Sequence, residues 1–221
     1  MLSADLHIHT ICSGDGESQV ADVLHAAYEA GLDVIAITDH DSTEGCDIAA
    51  KIPGSVLVIP GVEVTTLQGH LLVLGASGPV PKGMDVLDTI ALARSLGGVT
   101  IVPHPFHRYR HGVGLKAVRA LEAADAIEVF NSRYILGGAN RRALRYAKKL
   151  GKPMVAGSDA HHCRYVGYGR TMIDADRTVE SVLDAIRMGK TWPAGRRTPV
   201  RTYTRQSIRN SWRKLKGRII K

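Results

Sequence analysis

His7 and His9 stand two residues apart at the end of the first apolar run, Leu2–Leu6. Residues at that spacing on a strand point to the same side, so both imidazoles can meet one ion. The arrangement recurs. Val34–Thr38 leads into Asp39 and His40, Val56–Val62 into Glu63, and Val99–Pro103 into His104. Met154–Ser158 leads into Asp159 and His161, again two apart, and His70 opens a further run, His70–Leu74. Neutral imidazole and carboxylate are ligands that Zn, Mn and Fe accept. A lone HxH is common by chance; its recurrence at independent runs describes a metal site at the strand mouths of a barrel.

The elements that must position these residues alternate between strand and helix patterns. Val20, Val23, Leu24, Ala27 and Tyr28 recur at helical spacing before Gly31. Asp33–Thr38 is a continuous apolar run, as in a strand buried on both faces. Asp41–Lys51 reads as a helix with Ser42 or Thr43 as cap, and Ser55–Thr65 and His70–Ala76 as strands joined at Gln68-Gly69. Beyond the Gly78–Gly83 linker come a helical face from Val86 to Ala93, strand Val99–Val102, helix Leu115–Ala123 and strand Ala126–Phe130. The basic amphipathic helix Ala139–Leu150, strands Pro153–Gly157 and Arg170–Ile173, and helix Val179–Met188 complete the pattern. Such β/α units suggest a closed or distorted barrel, with an open doubly wound sheet as the runner-up.

The chain has 221 residues, enough for one domain with a substantial core. No apolar run is long enough to span a bilayer, and the first residues lack a signal-peptide pattern, so a cytoplasmic location is expected. Three cysteines without CxxC spacing fit a reducing compartment. The net charge of +8 is concentrated at one end. Residues 196–221 hold ten Lys/Arg and no acid; the other 195 hold 19 basic and 21 acidic residues, a net of −2. Two units are therefore expected, a body over 1–195 and a basic tail over 196–221. Ile208, Trp212, Leu215 and Ile219 share one helical face of the tail. It is expected to dock on the body, bind nucleic acid, or lie on an anionic membrane.

Asp5-Leu6-His7-Ile8-His9-Thr10, Ser13-Gly14-Asp15, Ile37-Thr38-Asp39-His40-Asp41, Pro60-Gly61-Val62-Glu63, Gly69-His70-Leu71-Leu72, Pro103-His104-Pro105 and Gly157-Ser158-Asp159-Ala160-His161 form an ordered set. Together they resemble the motifs of the PHP (polymerase and histidinol phosphatase) family over about residues 3–195. The resemblance implies an α/β fold, a distorted (β/α)7 TIM-like barrel, with a trinuclear metal cluster and phosphoesterase activity. Position by position, it implies one ion on His7, His9, Glu63 and Asp159, a second on Asp15, His40 and His161, and a third on Glu63, His70 and His104. Asp15 stands one residue later than the family's commonest spelling, and the long insertion that larger members carry between the His70 and His104 segments is absent here.

Two to three divalent ions, Mn, Zn or Fe, are thus expected. Clustered divalent ions neutralise phosphate charge and lower the pKa of bound water from about 15.7 toward about 7. A metal-bound hydroxide attacking phosphorus is the expected reaction, with Asp15 and His40 at the reacting centre. Arg133, after the strand ending at Phe130, is the candidate phosphate clamp, weighed evenly against a surface salt bridge. Arg108, Arg110 and Arg164 are weaker candidates, and His107 and His111 are candidate substrate contacts.

The expected substrate is a nucleotide or oligonucleotide, in the manner of a nucleotide phosphatase or 5′-3′ exonuclease. Alternatives are a histidinol-phosphatase-like enzyme acting on a phosphorylated small molecule, an amidohydrolase-type enzyme, and a non-catalytic RNA-binding subunit. The amidohydrolase pattern normally bridges its metals through a strand-end lysine or carboxylate; no strand here ends in lysine.

Overall fold

The computed structural model describes residues 1–107, 111–134 and 137–199. The expected tail helix, and Arg108 and Arg110, lie outside the described residues.

In chain order the elements are β1 (Leu2–Ile8), α1 (Val20–Glu29), β2 (Val34–Ile37), α2 (Glu44–Ala49), β3 (Leu57–Thr65), β4 (His70–Leu74), α3 (Val86–Ser95) and β5 (Val99–Val102). Then follow α4 (Arg119–Ala123), β6 (Ala126–Asn131), α5 (Gly138–Leu150), β7 (Met154–Gly157), β8 (Gly169–Ile173), α6 (Val179–Arg187) and β9 (Thr191–Gly195). The helix expected over Leu115–Ala123 is shorter: Val113–Leu115 forms a single 3-10 turn, and α4 begins only at Arg119. Strand β9 follows the last expected element. It carries Pro193, tolerated because β9 lies at the sheet edge.

The strands form one sheet in the order β7-β6-β5-β4-β3-β2-β1-β8-β9. Pairs β1–β2, β2–β3, β5–β6 and β6–β7 are parallel; β3–β4, β4–β5, β1–β8 and β8–β9 are antiparallel. The sheet curls so that the segment after β7 meets β1. Asp159 N donates to His7 O at 2.8 Å and His9 N to Ala160 O at 2.8 Å, with a parallel bridge between Ile8 and Ala160. This folds the sheet back on itself into a nearly closed barrel, with β8 and β9 continuing beyond β1. Lower down, Thr171 Oγ1 of β8 bonds both the N–H and the carbonyl of Ala156 at 2.9 Å.

The antiparallel course of β4 explains why His70 opens a run while the other donors close theirs. His70 pairs with Thr65 near the end of β3, so the first residue of β4 lies at the mouth.

Three apolar clusters hold the frame. Ala4, Leu6, Val34, Ile59, Leu72, Ile101 and Val155 fill the barrel, with Val182, Leu183 and Ile186 of α6 packed against them. A second cluster joins Val64, Leu71, Val102 and Ile127 to Ile90 of α3, Leu121 of α4 and Ala143 and Ala147 of α5. The third seats Val20, Val23 and Ala27 of α1 on Ile8, Ile35 and Ile37. Leu6 thus packs in the barrel cluster and Ile8 in an outer one, and the β1–β2 register shifts between Asp5 and Ile8. Such an irregularity re-aims side chains. Among the described residues no helix is long and apolar enough to cross a membrane.

Candidate metal centre

All nine donors named by the resemblance converge at the barrel mouth. His7 Nε2, His9 Nε2 and Glu63 Oε2 form a triangle with sides of 3.2, 3.2 and 3.1 Å. Asp159 Oδ1 lies 3.8 and 3.6 Å from the two imidazole nitrogens. A tetrahedral ion with bonds of about 2.0 Å holds its ligands about 3.3 Å apart, so these donor separations suit one. The other oxygen, Glu63 Oε1, is 2.9 Å from His70 Nδ1 and 3.0 Å from His104 Nε2. One carboxylate therefore faces two donor sets with its two oxygens. Asp15 Oδ2 lies 2.9 Å from His161 Nε2 and 3.8 Å from His40 Nε2. The later position of Asp15 still delivers its carboxylate, because positive φ at Gly14 turns the chain between Ser13 and Asp15.

Four overlapping groups of donor atoms, each group within 4.8 Å of one another, cover the whole set: His9/Asp15/His40/His161, His7/His9/Glu63, His7/His104/Asp159 and His40/Glu63/His70. The donors are imidazoles and carboxylates only, the chemistry of Zn, Mn or Fe. His7, His9, Glu63, His104, Asp159 and His161 are buried. Asp15 and His40, with 35% and 27% of their side chains exposed, form the open rim.

Burial of so many ionisable groups has an electrostatic consequence. Burial alone would raise the Glu63 carboxyl, but His40, His7, His70 and a His104 hydrogen bond hold it well below the usual range. Burial likewise opposes, and His161, His9 and His40 outweigh it, at Asp15, which is lowered. Burial disfavours a charged His7, yet Asp159, Glu128 and Glu63 raise it well above its ordinary value; at His70 burial opposes in the same way, and Glu63 raises it. Burial, then the neighbouring His161, keeps His9 well below; burial, then Arg133, lowers His161. The ionised form is thus favoured at Glu63 and Asp15, and the negative charge that favours a proton on His7 and His70 would equally favour a divalent cation.

Sequence reasoning missed Glu128. It is buried on β6, with Oε1 3.0 Å from His7 Nδ1, while Oε2 accepts from His104 N at 2.7 Å and Asn131 Nδ2 at 2.9 Å. It fixes the ring of His7 with Nε2 facing the other donors, the role outer carboxylates play behind histidine ligands. Its signal was a lone acid inside the apolar run Ala126–Phe130. Asn131 Nδ2 also reaches Asp159 Oδ2 at 3.2 Å. Ser13 Oγ lies 3.2 Å from His9 Nδ1, donates to Asp15 Oδ1 at 3.0 Å and accepts from His40 N at 3.1 Å. Asp5 sits behind the site, accepting from Ser158 N at 2.9 Å and Gly167 N at 2.8 Å. Burial pushes its carboxyl up to about 6.

The flanking acids of His40 tie separate segments together. Asp39 accepts from Thr10 N at 2.6 Å and Thr10 Oγ1 at 2.7 Å, and Asp41 accepts from Thr65 N at 2.7 Å. Arg133 is at the mouth, not on the outer surface: Nη1 is 3.1 Å from Asp159 Oδ1 and 2.6 Å from His161 Nδ1. Arg164 is exposed. The His111 ring lies 5.2 Å from that of His70, and His107 stacks on Tyr134 at 4.9 Å. His25 is exposed on α1. The His162 side chain accepts from Arg164 N at 3.3 Å, a local turn contact.

A family model described as the PHP domain matches residues 5–97, and one described as PHP-associated matches residues 137–191. An uncharacterised protein of Methanocaldococcus jannaschii, MJ1587, is 32% identical over 155 residues, covering 65% of this chain and 90% of that protein. A 5′-3′ exoribonuclease of Haemophilus influenzae is 43% identical over 182 residues, covering 76% of this chain; the match spans 57% of the exoribonuclease. Among solved structures, a two-domain protein from Bacteroides vulgatus containing a predicted PHP-like metal-dependent phosphoesterase superposes with a TM-score of 0.76 at 21% identity. That match covers 88% of this chain and 65% of the other. The chain belongs to the PHP family of metal-dependent phosphoesterases.

Proposed function

We propose that this protein hydrolyses phosphate esters of nucleotides or oligonucleotides, as a nucleotide phosphatase or a 5′-3′ exonuclease. The observation that carries the reading is the division of Glu63 between two donor sets beside an open rim. His7, His9, Glu63 and Asp159 would hold one ion, Asp15, His40 and His161 a second, and Glu63, His70 and His104 a third. Two to three divalent ions so held would supply charge neutralisation for a phosphoryl group and a lowered pKa for water.

The protein's own residues do the positioning. Glu128 holds His7 and the backbone of His104; Ser13 ties His9, Asp15 and the backbone of His40 together. Asp15 and His40 line the rim where a phosphate ester enters. Arg133, against Asp159 and His161, offers a planar fork to non-bridging phosphoryl oxygens. The barrel body over 1–195 carries the chemistry and the basic residues of 196–221 bind nucleic acid. Residues 196–199 stay against the body, Arg196 N donating to Tyr168 O and Thr198 N to Ser132 O, each at 2.8 Å. A reducing, cytoplasmic setting belongs to the same reading, since Cys12, Cys46 and Cys163 are free thiols.

The likeness to the exoribonuclease supports the nucleic-acid branch over the small-metabolite branch. The test is phosphate or nucleotide release from nucleoside monophosphates, 3′,5′-bisphosphates and short oligonucleotides, against histidinol phosphate, amides and lactones. Turnover of the nucleotide set by Mn- or Zn-loaded protein supports the reading. Turnover confined to histidinol phosphate, or to amides or lactones, overturns it.

A further inference from the structure

Among the described residues, helix α5 stands apart from the other helices in charge. It carries Arg141, Arg142, Arg145, Lys148 and Lys149 and no acid, whereas each of the other five α-helices described includes Asp or Glu. Arg142 is committed to packing, its guanidinium 4.2 Å from the centre of the Phe106 ring. Arg141, Arg145, Lys148 and Lys149 fall at i, i+4, i+7 and i+8, one face, and all four are exposed. Among the described residues none of the four forms a salt bridge. The opposite face is used up, with Asn140, Ala143 and Ala147 buried against the barrel.

The stripe begins at the metal centre. β6 ends at Asn131, Arg133 follows at the mouth, and α5 starts at Gly138. The guanidinium of Arg197 lies against Gly137, where a side chain would collide with it. Arg133, Arg197, Arg141, Arg145 and the Lys148/Lys149 pair therefore follow one another from the mouth down a helix of 13 residues, about 19 Å long. That length faces several phosphates of a nucleic acid strand, whose axial repeat in a duplex is about 3.4 Å.

We propose that this face of α5 binds the phosphodiester backbone of a single-stranded nucleic acid whose end lies in the metal centre. The inference rests on the nucleotide and oligonucleotide reading of that centre. A membrane surface fits less well, because the face that would need to be apolar is packed on the barrel.

The test compares the full chain with an Arg141→Ala/Arg145→Ala/Lys148→Ala/Lys149→Ala variant. Binding of a dye-labelled single-stranded RNA of about a dozen nucleotides is followed by anisotropy in chelator, so that no turnover is required. The expected result is affinity weakened by more than about tenfold. The slope of log affinity against log salt should become shallower by about two to three, near 0.7 per lost phosphate contact. An Arg141→Lys/Arg145→Lys variant should keep both values. Unchanged affinity and slope in the alanine variant overturn the proposal. So does a wild-type protein that binds phosphatidylserine vesicles but not RNA. Hydrolysis of a nucleoside monophosphate is read in parallel and should be equal in the two proteins. Its absence from wild type sinks the catalytic reading, while the anisotropy alone decides whether α5 binds RNA.

Discussion

Glu63 is the residue on which the centre turns, since its two oxygens reach five histidines: Oε1 to His70 and His104, Oε2 to His7, His9 and His40. Glu63→Gln keeps the shape but removes the charge and one acceptor. It should lower bound metal by at least one ion per chain and cut phosphate release by more than about a hundredfold, removing part of the charge stabilisation that the ions supply. Elemental analysis with an activity assay checks both, and full metal content would contradict the bridging role. Glu128→Gln should leave folding intact and cost about 10–100-fold in metal affinity or activity, the range for outer partners of metal-ligating histidines. Arg133→Ala should raise KM or lower kcat; no change in either would remove the clamp. The nine donors were legible in sequence because each stands beside an apolar run or within a motif of the ordered set. Glu128 was not, since its partner His7 is 121 residues away and only barrel closure brings the two together.

At the scale of elements, β8 is the support behind the Ser158–Asp159 turn. A methyl group at Gly169 would collide with the carbonyl of Gly157 and with Ser158 N. Gly169→Ala should therefore destabilise the fold by about 1–3 kcal/mol, the usual cost of overpacking, and lower activity by displacing Asp159. Denaturant unfolding together with kcat measures the two effects. Wild-type values in both would show that β8 does not hold the turn. The element types were largely readable because strands buried on both faces appear as unbroken apolar runs. Strand direction was not readable from such runs. The exception is β3–β4, where only residues 66–69 separate the two runs, too few for a parallel crossover; His70 at the start of β4 agrees with that reversal. The brevity of α4 was also hidden, because Leu115, Val118 and Leu121 fall three residues apart across the boundary between a 3-10 turn and α4.

At the scale of the molecule, the barrel encloses a cluster of buried charges that the apolar core beneath it does not neutralise. Divalent ions that bind only the folded state should add stability, about 2.7 kcal/mol at a hundredfold excess over Kd. For a chain of 221 residues that corresponds to a rise in Tm of about 5–11 °C, reversed by chelator. A Tm indifferent to Mn, Zn and chelator would contradict a folded-state metal site. The charge asymmetry works at the same scale: the body over 1–195 is near neutral while α5 and residues 196–221 concentrate positive charge. The measurement that bears most directly on the catalytic reading is metal content per chain, by elemental analysis, on protein purified without chelator or affinity nickel. The same sample is assayed for phosphate release from nucleotides. Two to three ions per chain with chelator-sensitive release is the expected result. Protein that stays free of ions and inactive after reconstitution with Mn or Zn would contradict it and turn attention to nucleic acid binding alone.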